Sequence, residues 1–343
     1  MGDIGFNLSA VVSDLQAVEQ IDQNFIVEKS YSGMYADLAA QDEQRIIEAL
    51  NQKPWRKVVG EFFFDQNPWL YRIITDPGRS FFLDLLPIKQ EGVFFDIGSG
   101  WGQVTIPLAR KGFSIAFDLT FNRLEILRQI ARQEKVSLGY LQGNFLTFPF
   151  RDSIADLIVF NGSLEWIGSD RPSSVTIREC QLQALKKAAR MLKPDGIVYI
   201  GIENSLGAKY LGGVKDDHTG IPHLTYLDEK EADARFNALT SKRLPAKTWS
   251  LNEYHELFQE SGLELVRSYG CFPDYKLIRL MVDLEEIDDY FLENVYDIAE
   301  HDGTNGSLLP DSSRLSALYA QAARNRIAAF LCPSFAFVLK KKD

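Results

Sequence analysis

Residues 93–102, Val-Phe-Phe-Asp-Ile-Gly-Ser-Gly-Trp-Gly, constrain this chain more than any other stretch. Val93 to Phe95 form a short apolar run that reads as a buried strand, closed by Asp96. Gly98, Gly100 and Gly102 follow at alternate positions, and a helix-capable segment starts at Gln103. A turn without Cβ atoms lets backbone N–H groups come close to a ligand, and a helix N-terminus adds further free donors. Strand, glycine turn and helix in that order predict a nucleotide-type cofactor site in an α/β sheet.

The spacing narrows the cofactor. A dinucleotide fingerprint, Gly-x-Gly-x-x-Gly, would need its third glycine at position 103, where Gln103 stands. That weighs against a nicotinamide oxidoreductase. An acid also precedes the first glycine, and a carboxylate is a poor neighbour for a pyrophosphate. The cationic amino-acid end of S-adenosylmethionine suits it. The pattern Asp96-x-Gly98-x-Gly100-x-Gly102 resembles the first motif of the class I S-adenosylmethionine-dependent methyltransferases. The plainer reading of the same residues is a turn that only lets a helix pack closely on the sheet.

Length and composition allow one large domain with additions: 343 residues, 45% hydrophobic and 12% aromatic, which argues against disorder. No apolar run approaches the length of a membrane span, and the N-terminus lacks a basic region followed by an apolar stretch. Cys180, Cys271 and Cys332 are widely separated and show no metal-ligand spacing, so free thiols, no metal and a cytoplasmic location are expected. The net charge is −10, and from Leu280 to Asp302 there are nine acids with no Lys or Arg. Such a surface repels phosphate backbones, so no nucleic-acid partner is expected, a solvated helical face being the plainer reading of the run; the lack of a span-length apolar run likewise predicts no membrane partner.

Along the chain, Ser13 to Asn24 and Gln41 to Leu50 show helical spacing, and Arg79 to Leu86 reads as a helix leading to the sheet. Residues 1–90 are therefore expected to form a helical N-terminal extension or lid. From residue 91 strands and helices alternate: strands at 93–95, 114–117, 137–141, 154–160 and 197–202, with helices at 122–134, 181–192 and 250–261. Gly262 is the expected C-cap of the last helix. Leu263 to Tyr269 and Phe335 to Leu339 read as two final strands. The resemblance implies a Rossmann-like, seven-stranded methyltransferase sheet with its last hairpin antiparallel. Residues 203–249 and 271–333 then stand as insertions in a domain spanning 91–343.

The resemblance also implies roles. Asp96, Gly98, Ser99, Gly100 and Gly102 would line the cofactor. Asp118, at the end of the second strand with Leu119 after it, would accept from both ribose hydroxyls. Asn144, followed by Phe145, stands where the family often has an acid for the adenine amino group. Asn161 and Gly162 stand where the family borders the methionine moiety. Glu165 and Trp166 follow, facing substrate or only a surface partner.

Two segments carry a narrower resemblance. Glu203-Asn204-Ser205-Leu206-Gly207-Ala208-Lys209-Tyr210 precedes Asp216-Asp217-His218-Thr219-Gly220, and Phe272-Pro273-Asp274-Tyr275-Lys276-Leu277 comes later. Together they resemble bacterial methyltransferases found beside glycosyltransferases in polysaccharide and secondary-metabolite clusters. Ser205, Asp216 and Ile278 depart from that group's Arg, Glu and Pro. His218 is the first choice for a general base, with Asp217 beside it and Glu203 second; a loop lock is the alternative role for Asp217 and His218. Asn204, His223 and Tyr275 are the remaining substrate candidates. The expected activity is methylation of a small-molecule or sugar-like acceptor, most simply on oxygen, leaving S-adenosylhomocysteine. The rivals are N- or C-methylation of a metabolite or protein, and an inactive binding module of the same fold.

Overall fold

The computed structural model describes residues 7–31, 38–297 and 312–342. Two units emerge, Met1–Phe160 with Lys187–Val198, and Asn161–Lys186 with Tyr199–Asp343. The first unit begins with strands β1 (Val18–Asp22) and β2 (Phe25–Glu28) and helices α1 (Ala40–Leu50), α2 (Trp55–Phe63) and α3 (Pro68–Thr75). The alternating part follows: β3 (Val93–Ile97), α4 (Thr105–Ala109), β4 (Phe113–Asp118), α5 (Phe121–Gln133), β5 (Leu138–Gln142) and β6 (Ala155–Asn161). Helix α6 (Ile177–Met191) and strand β7 (Leu192–Glu203) each have residues in both units.

Strand order in the first unit is β1-β2-β5-β4-β3-β6-β7. β3 pairs in parallel with β4 and β6, and β4 with β5. Parallel strands covered on both faces need continuous apolar runs, and β4 is buried from Ser114 to Asp118. Apolar residues of α5 at helical spacing (Leu124, Leu127, Ile130) pack with Ile46 and Leu50 of α1 and with Val58 of α2.

The second unit holds α7 (Ala208–Leu211), α8 (Glu229–Thr240), α9 (Leu251–Ser261), β8 (Leu263–Phe272), β9 (Leu280–Asp283), α10 (Ile287–Glu293), α11 (Ser312–Arg324), α12 (Ala328–Leu331) and β10 (Ser334–Lys341). The order here is β7-β10-β8-β9, with β10 antiparallel to β8 and lying between β7 and β8. That is the antiparallel final hairpin the resemblance implies. α9 begins with a Ser250–Glu253 capping box and ends at Gly262 with φ 78°, as expected.

Three expectations need correction. Ten strands are present among the described residues, not seven; β1, β2 and β9 are the additions. Ser13 to Asn24 is not helical: it contains β1 and the turn into β2, and two of its apolar residues, Leu15 and Ile21, are exposed. Their helical spacing therefore marks no buried face. Residues 77–84 form a 3-10 helix in place of the expected α-helix, with the Asp76 side chain accepting from Gly78 N.

Candidate active site

In the first unit β3 ends at Ile97, and the chain turns through Gly98, Gly100 and Gly102 with φ of 76°, 52° and 86°. These values lie in the left-handed region that glycine enters at little cost. Gly102 also permits packing: a Cβ there would stand 2.1 Å from Leu127 Cδ1 of α5. A Cβ on Gly100 would meet Gln103 Oε1 at 3.8 Å, an ordinary contact. Gly98 N and Ser99 N donate to Phe117 O (2.8 and 3.1 Å), so the turn is tied to the end of β4.

Asp118 closes β4 and clamps the same turn. Its Oδ2 accepts from Gly100 N and its Oδ1 from Thr120 N, both at 3.0 Å. Each oxygen retains a second acceptor direction, enough for a pair of hydroxyl donors. Burial pushes this carboxyl up to about 6, against the pull of the backbone donors at Thr120 and Gly100. Asp96 is raised to about 6 as well, chiefly by burial; its Oδ2 accepts from Thr105 Oγ1 at 2.6 Å and so fastens the start of α4.

Two acids that sequence reading passed over belong to this unit's site. Glu43 of α1 accepts from Asn122 Nδ2 through Oε2 (3.0 Å), while its Oε1 is buried with no hydrogen-bond partner. It lies close enough for its charge to add to the rise at Asp118. Glu28 of β2 accepts from Asn144 N at 2.9 Å. An acid in the first turn of a helix reads as ordinary dipole complementation, which hid Glu43. Glu28 was hidden because the hairpin carrying it was not foreseen.

Asn144 shapes the turn after β5, its Oδ1 accepting from Leu146 N at 2.9 Å. Phe145 packs edge-on against Phe117 and Phe160, and Leu119 O accepts from Gln142 Nε2 (2.8 Å). The residues present fit a nucleoside carrying a charged tail. Ser99 Oγ and Glu43 Oε1 are buried and unpartnered, Asp118 has acceptor capacity to spare, and the glycine turn leaves its backbone open to approach.

The second unit gathers a separate set of groups. After Asn161, Gly162 turns with φ 82°, and a Cβ on it would stand 2.3 Å from Tyr275 Oη. Tyr275 Oη donates to Glu165 Oε1 at 3.4 Å. Glu203, the last residue of β7, pairs through Oε1 with Lys276 Nζ. His218 Nδ1 donates to Asp216 Oδ1 (3.0 Å), and Asp216 Oδ2 accepts from Thr219 Oγ1 at the same distance. On its other side, His218 Nε2 lies 3.6 Å from Glu165 Oε1 and 3.6 Å from Glu203 Oε2. The Trp166 ring stands edge-on to His218 with centroids 5.2 Å apart. Glu165 and Glu203 are almost wholly buried, and the Oε2 atom of each has no hydrogen-bond partner.

Electrostatics follows the geometry. Burial alone would lower the His218 pKa, but Glu203, Asp216 and Glu165 outweigh it and hold the ring well above its ordinary 6.5. Burial raises the Glu203 carboxyl despite Lys276 and His218. Asp217, although buried, is held well below the usual range by Lys209 and Lys276. It is Asp216 rather than the neighbouring Asp217 that accepts from the His218 ring. Asp217 binds Lys276 Nζ at 2.9 Å and Lys209 Nζ at 3.2 Å.

Asn204 is also reassigned. Its Nδ2 donates to Phe330 O and Cys332 O, both at 2.8 Å, and its Oδ1 accepts from Leu206 N at 3.0 Å, so it ties chain segments together. His223 is exposed at φ 65° with Tyr226 as ring neighbour. His301, Gly33 and Tyr35 lie outside the described residues.

Residues 95–200 match the family model described as "Methyltransferase domain". The "Putative methyltransferase YqeM" of Bacillus subtilis (strain 168) is 22% identical over 208 residues, covering 54% of this chain and 79% of that protein. The "Ubiquinone biosynthesis O-methyltransferase" of Rickettsia akari (strain Hartford) is 24% identical over 120 residues, 35% of this chain and 43% of that one. Among solved structures, a TehB-like S-adenosylmethionine-dependent methyltransferase from Corynebacterium glutamicum is 13% identical with a TM-score of 0.43, covering 89% of this chain and all of that one (100%). The match places a methyltransferase domain over residues 95–200, the segment that carries the glycine turn and the parallel strands β4 to β6 with most of β7.

Proposed function

We propose that this methyltransferase acts on a hydroxyl of a small-molecule or sugar-like acceptor, in natural-product or glycan biosynthesis. Methyl transfer from a sulfonium is an in-line displacement, and alignment alone can supply roughly 7–11 kcal/mol. An oxygen acceptor has a further need, because its proton must leave. The observation that carries the reading is the buried set Asp216, His218, Glu165 and Glu203, which offers proton acceptors shielded from water.

Bound S-adenosylmethionine supplies the electrophilic methyl. Asp118 would accept from the ribose hydroxyls, while Asn144 and Phe145 would border the adenine. The carboxylates around His218 hold its pKa well above the ordinary 6.5, which makes them the better candidates to take up a proton. The proton of the acceptor hydroxyl goes instead to Glu203 or Glu165. Burial makes Glu203 a stronger base than a surface carboxylate, and one of its oxygens is unpartnered. His218, set by Asp216, holds the two carboxylates apart from full charge repulsion. A relative named as an O-methyltransferase supports an oxygen acceptor.

The test uses cofactor labelled in its methyl group and a panel of phenols, sugars and glycosides, read by product mass and fragmentation. Transfer to oxygen is expected. Glu203→Gln and Glu165→Gln should each lower kcat by tenfold or more at unchanged cofactor affinity, on the scale of a general base. Methylation confined to nitrogen or carbon would overturn the reading. Cofactor binding without transfer to any acceptor would favour a binding module.

A further inference from the structure

We propose that Glu165, Glu203 and His218 form a site for one divalent cation of the zinc or manganese type. Their ligand atoms, one from each residue, all lie within 4.8 Å of one another. His218 Nε2 is 3.6 Å from a carboxylate oxygen on either side, longer than a hydrogen bond. A small cation among the three would draw these atoms into contact.

Three further observations point the same way. Glu165 Oε2 and Glu203 Oε2 are deeply buried and accept no hydrogen bond, an expensive state for carboxylate oxygens that a cation relieves. His218 turns its other nitrogen to Asp216, and a carboxylate behind a histidine is the usual support of a metal-bound imidazole. Asp216 is itself fixed, accepting from His218 N at 2.8 Å and from Thr219 Oγ1. The nearby lysines are committed: Lys209 to Asp217, and Lys276 to Asp217 and the other oxygen of Glu203. One imidazole and two carboxylates suit zinc or manganese, with water or an acceptor hydroxyl completing the coordination.

Sequence spacing gave no hint of this, because the three residues are widely separated and none belongs to a short ligand motif. As a binding site the trio stands alone. Only its catalytic consequence, polarising an acceptor oxygen, rests on the reading of hydroxyl methylation.

Protein stripped with a chelator and dialysed is titrated calorimetrically with ZnCl2 and, separately, with MnCl2. One equivalent should bind, and the melting temperature should rise with metal. Glu165→Gln and His218→Ala should abolish binding. Asp216→Asn, a positioning change outside the ligand set, should weaken it by about 10–100-fold. Circular dichroism identifies any variant that fails to fold, and the conservative Glu165→Gln keeps the test decisive. No saturable binding of either metal overturns the site, as does binding that all three variants leave unchanged. Methyl transfer is scored in parallel. Full transfer by stripped protein that binds no metal removes the site and leaves the hydroxyl reading standing. Stoichiometric metal binding with transfer to nitrogen alone upholds the site and removes that reading.

Discussion

The glycine turn of the first unit and the charged cluster of the second are built on opposite principles. The turn is made of backbone. Gly98, Gly100 and Gly102 present main-chain groups; Asp118 accepts from Gly100 N, and Phe117 O accepts from Gly98 N and Ser99 N. The cluster is made of side chains, with Glu165, Glu203, Asp217, His218, Lys209 and Lys276 balancing one another away from water. A backbone site tolerates the loss of one side chain and fails when a Cβ intrudes. A side-chain site fails when a single charge is removed.

The comparison breaks most visibly at Lys276. Lys276→Met leaves Glu203 and Asp217 short of a cation, and should cost about 3–5 kcal/mol of stability, read by urea denaturation. A loss near zero would mean that the cluster tolerates single-charge removal after all. Gly102→Ala is the counterpart in the turn. It puts a Cβ against Leu127 at a φ of 86°, and should destabilise by about 2–4 kcal/mol, whereas Gly100→Ala should cost less.

Asp118→Ala should weaken S-adenosylmethionine binding by about 1.5–3 kcal/mol, measured calorimetrically. Its pH dependence sharpens the point. The folded-state pKa, about 6, lies above the ordinary 3.8, so the stability Asp118 contributes is fully present below pH 3.8 and is lost as pH rises through about 6. Cofactor affinity runs the other way, because ribose hydroxyls need an ionised acceptor; it should fall as pH drops below about 6, and Asp118→Asn should flatten that fall. The smallest effect is expected from Glu43→Ala, about 1 kcal/mol of cofactor affinity, since only Oε1 is free to bind a ligand while Oε2 is held by Asn122. An affinity equal to wild type would return α1 to a purely structural role.

The same contrast explains what the sequence disclosed. A backbone turn must be written in consecutive residues, so Asp96 to Gly102 could be read directly as the end of a strand and a glycine turn, as found. Asp118 followed from its place at the end of the next strand. Side-chain clusters carry no such local script. Asp216 and Asp217 are adjacent in the chain, yet one serves His218 and the other two lysines. Spacing cannot separate them, because only the course of the loop decides which way each carboxylate points. Glu28 was out of reach for another reason: the apolar spacing around Leu15, Val18 and Ile21 imitates a helix, while two of those residues face solvent in or beside a strand.

That hairpin has a consequence for handling the protein. β2 pairs in parallel with β5 from Phe25 to Val27 and covers what would otherwise be a bare ladder of donors and acceptors. It also carries Glu28 to the Asn144 amide. Proteolytic trimming beyond residue 28 would open a sticky flank for self-association and slacken the turn at Asn144 in one stroke. Aggregation and weakened nucleoside binding would then arrive together, with every residue of the glycine turn still in place.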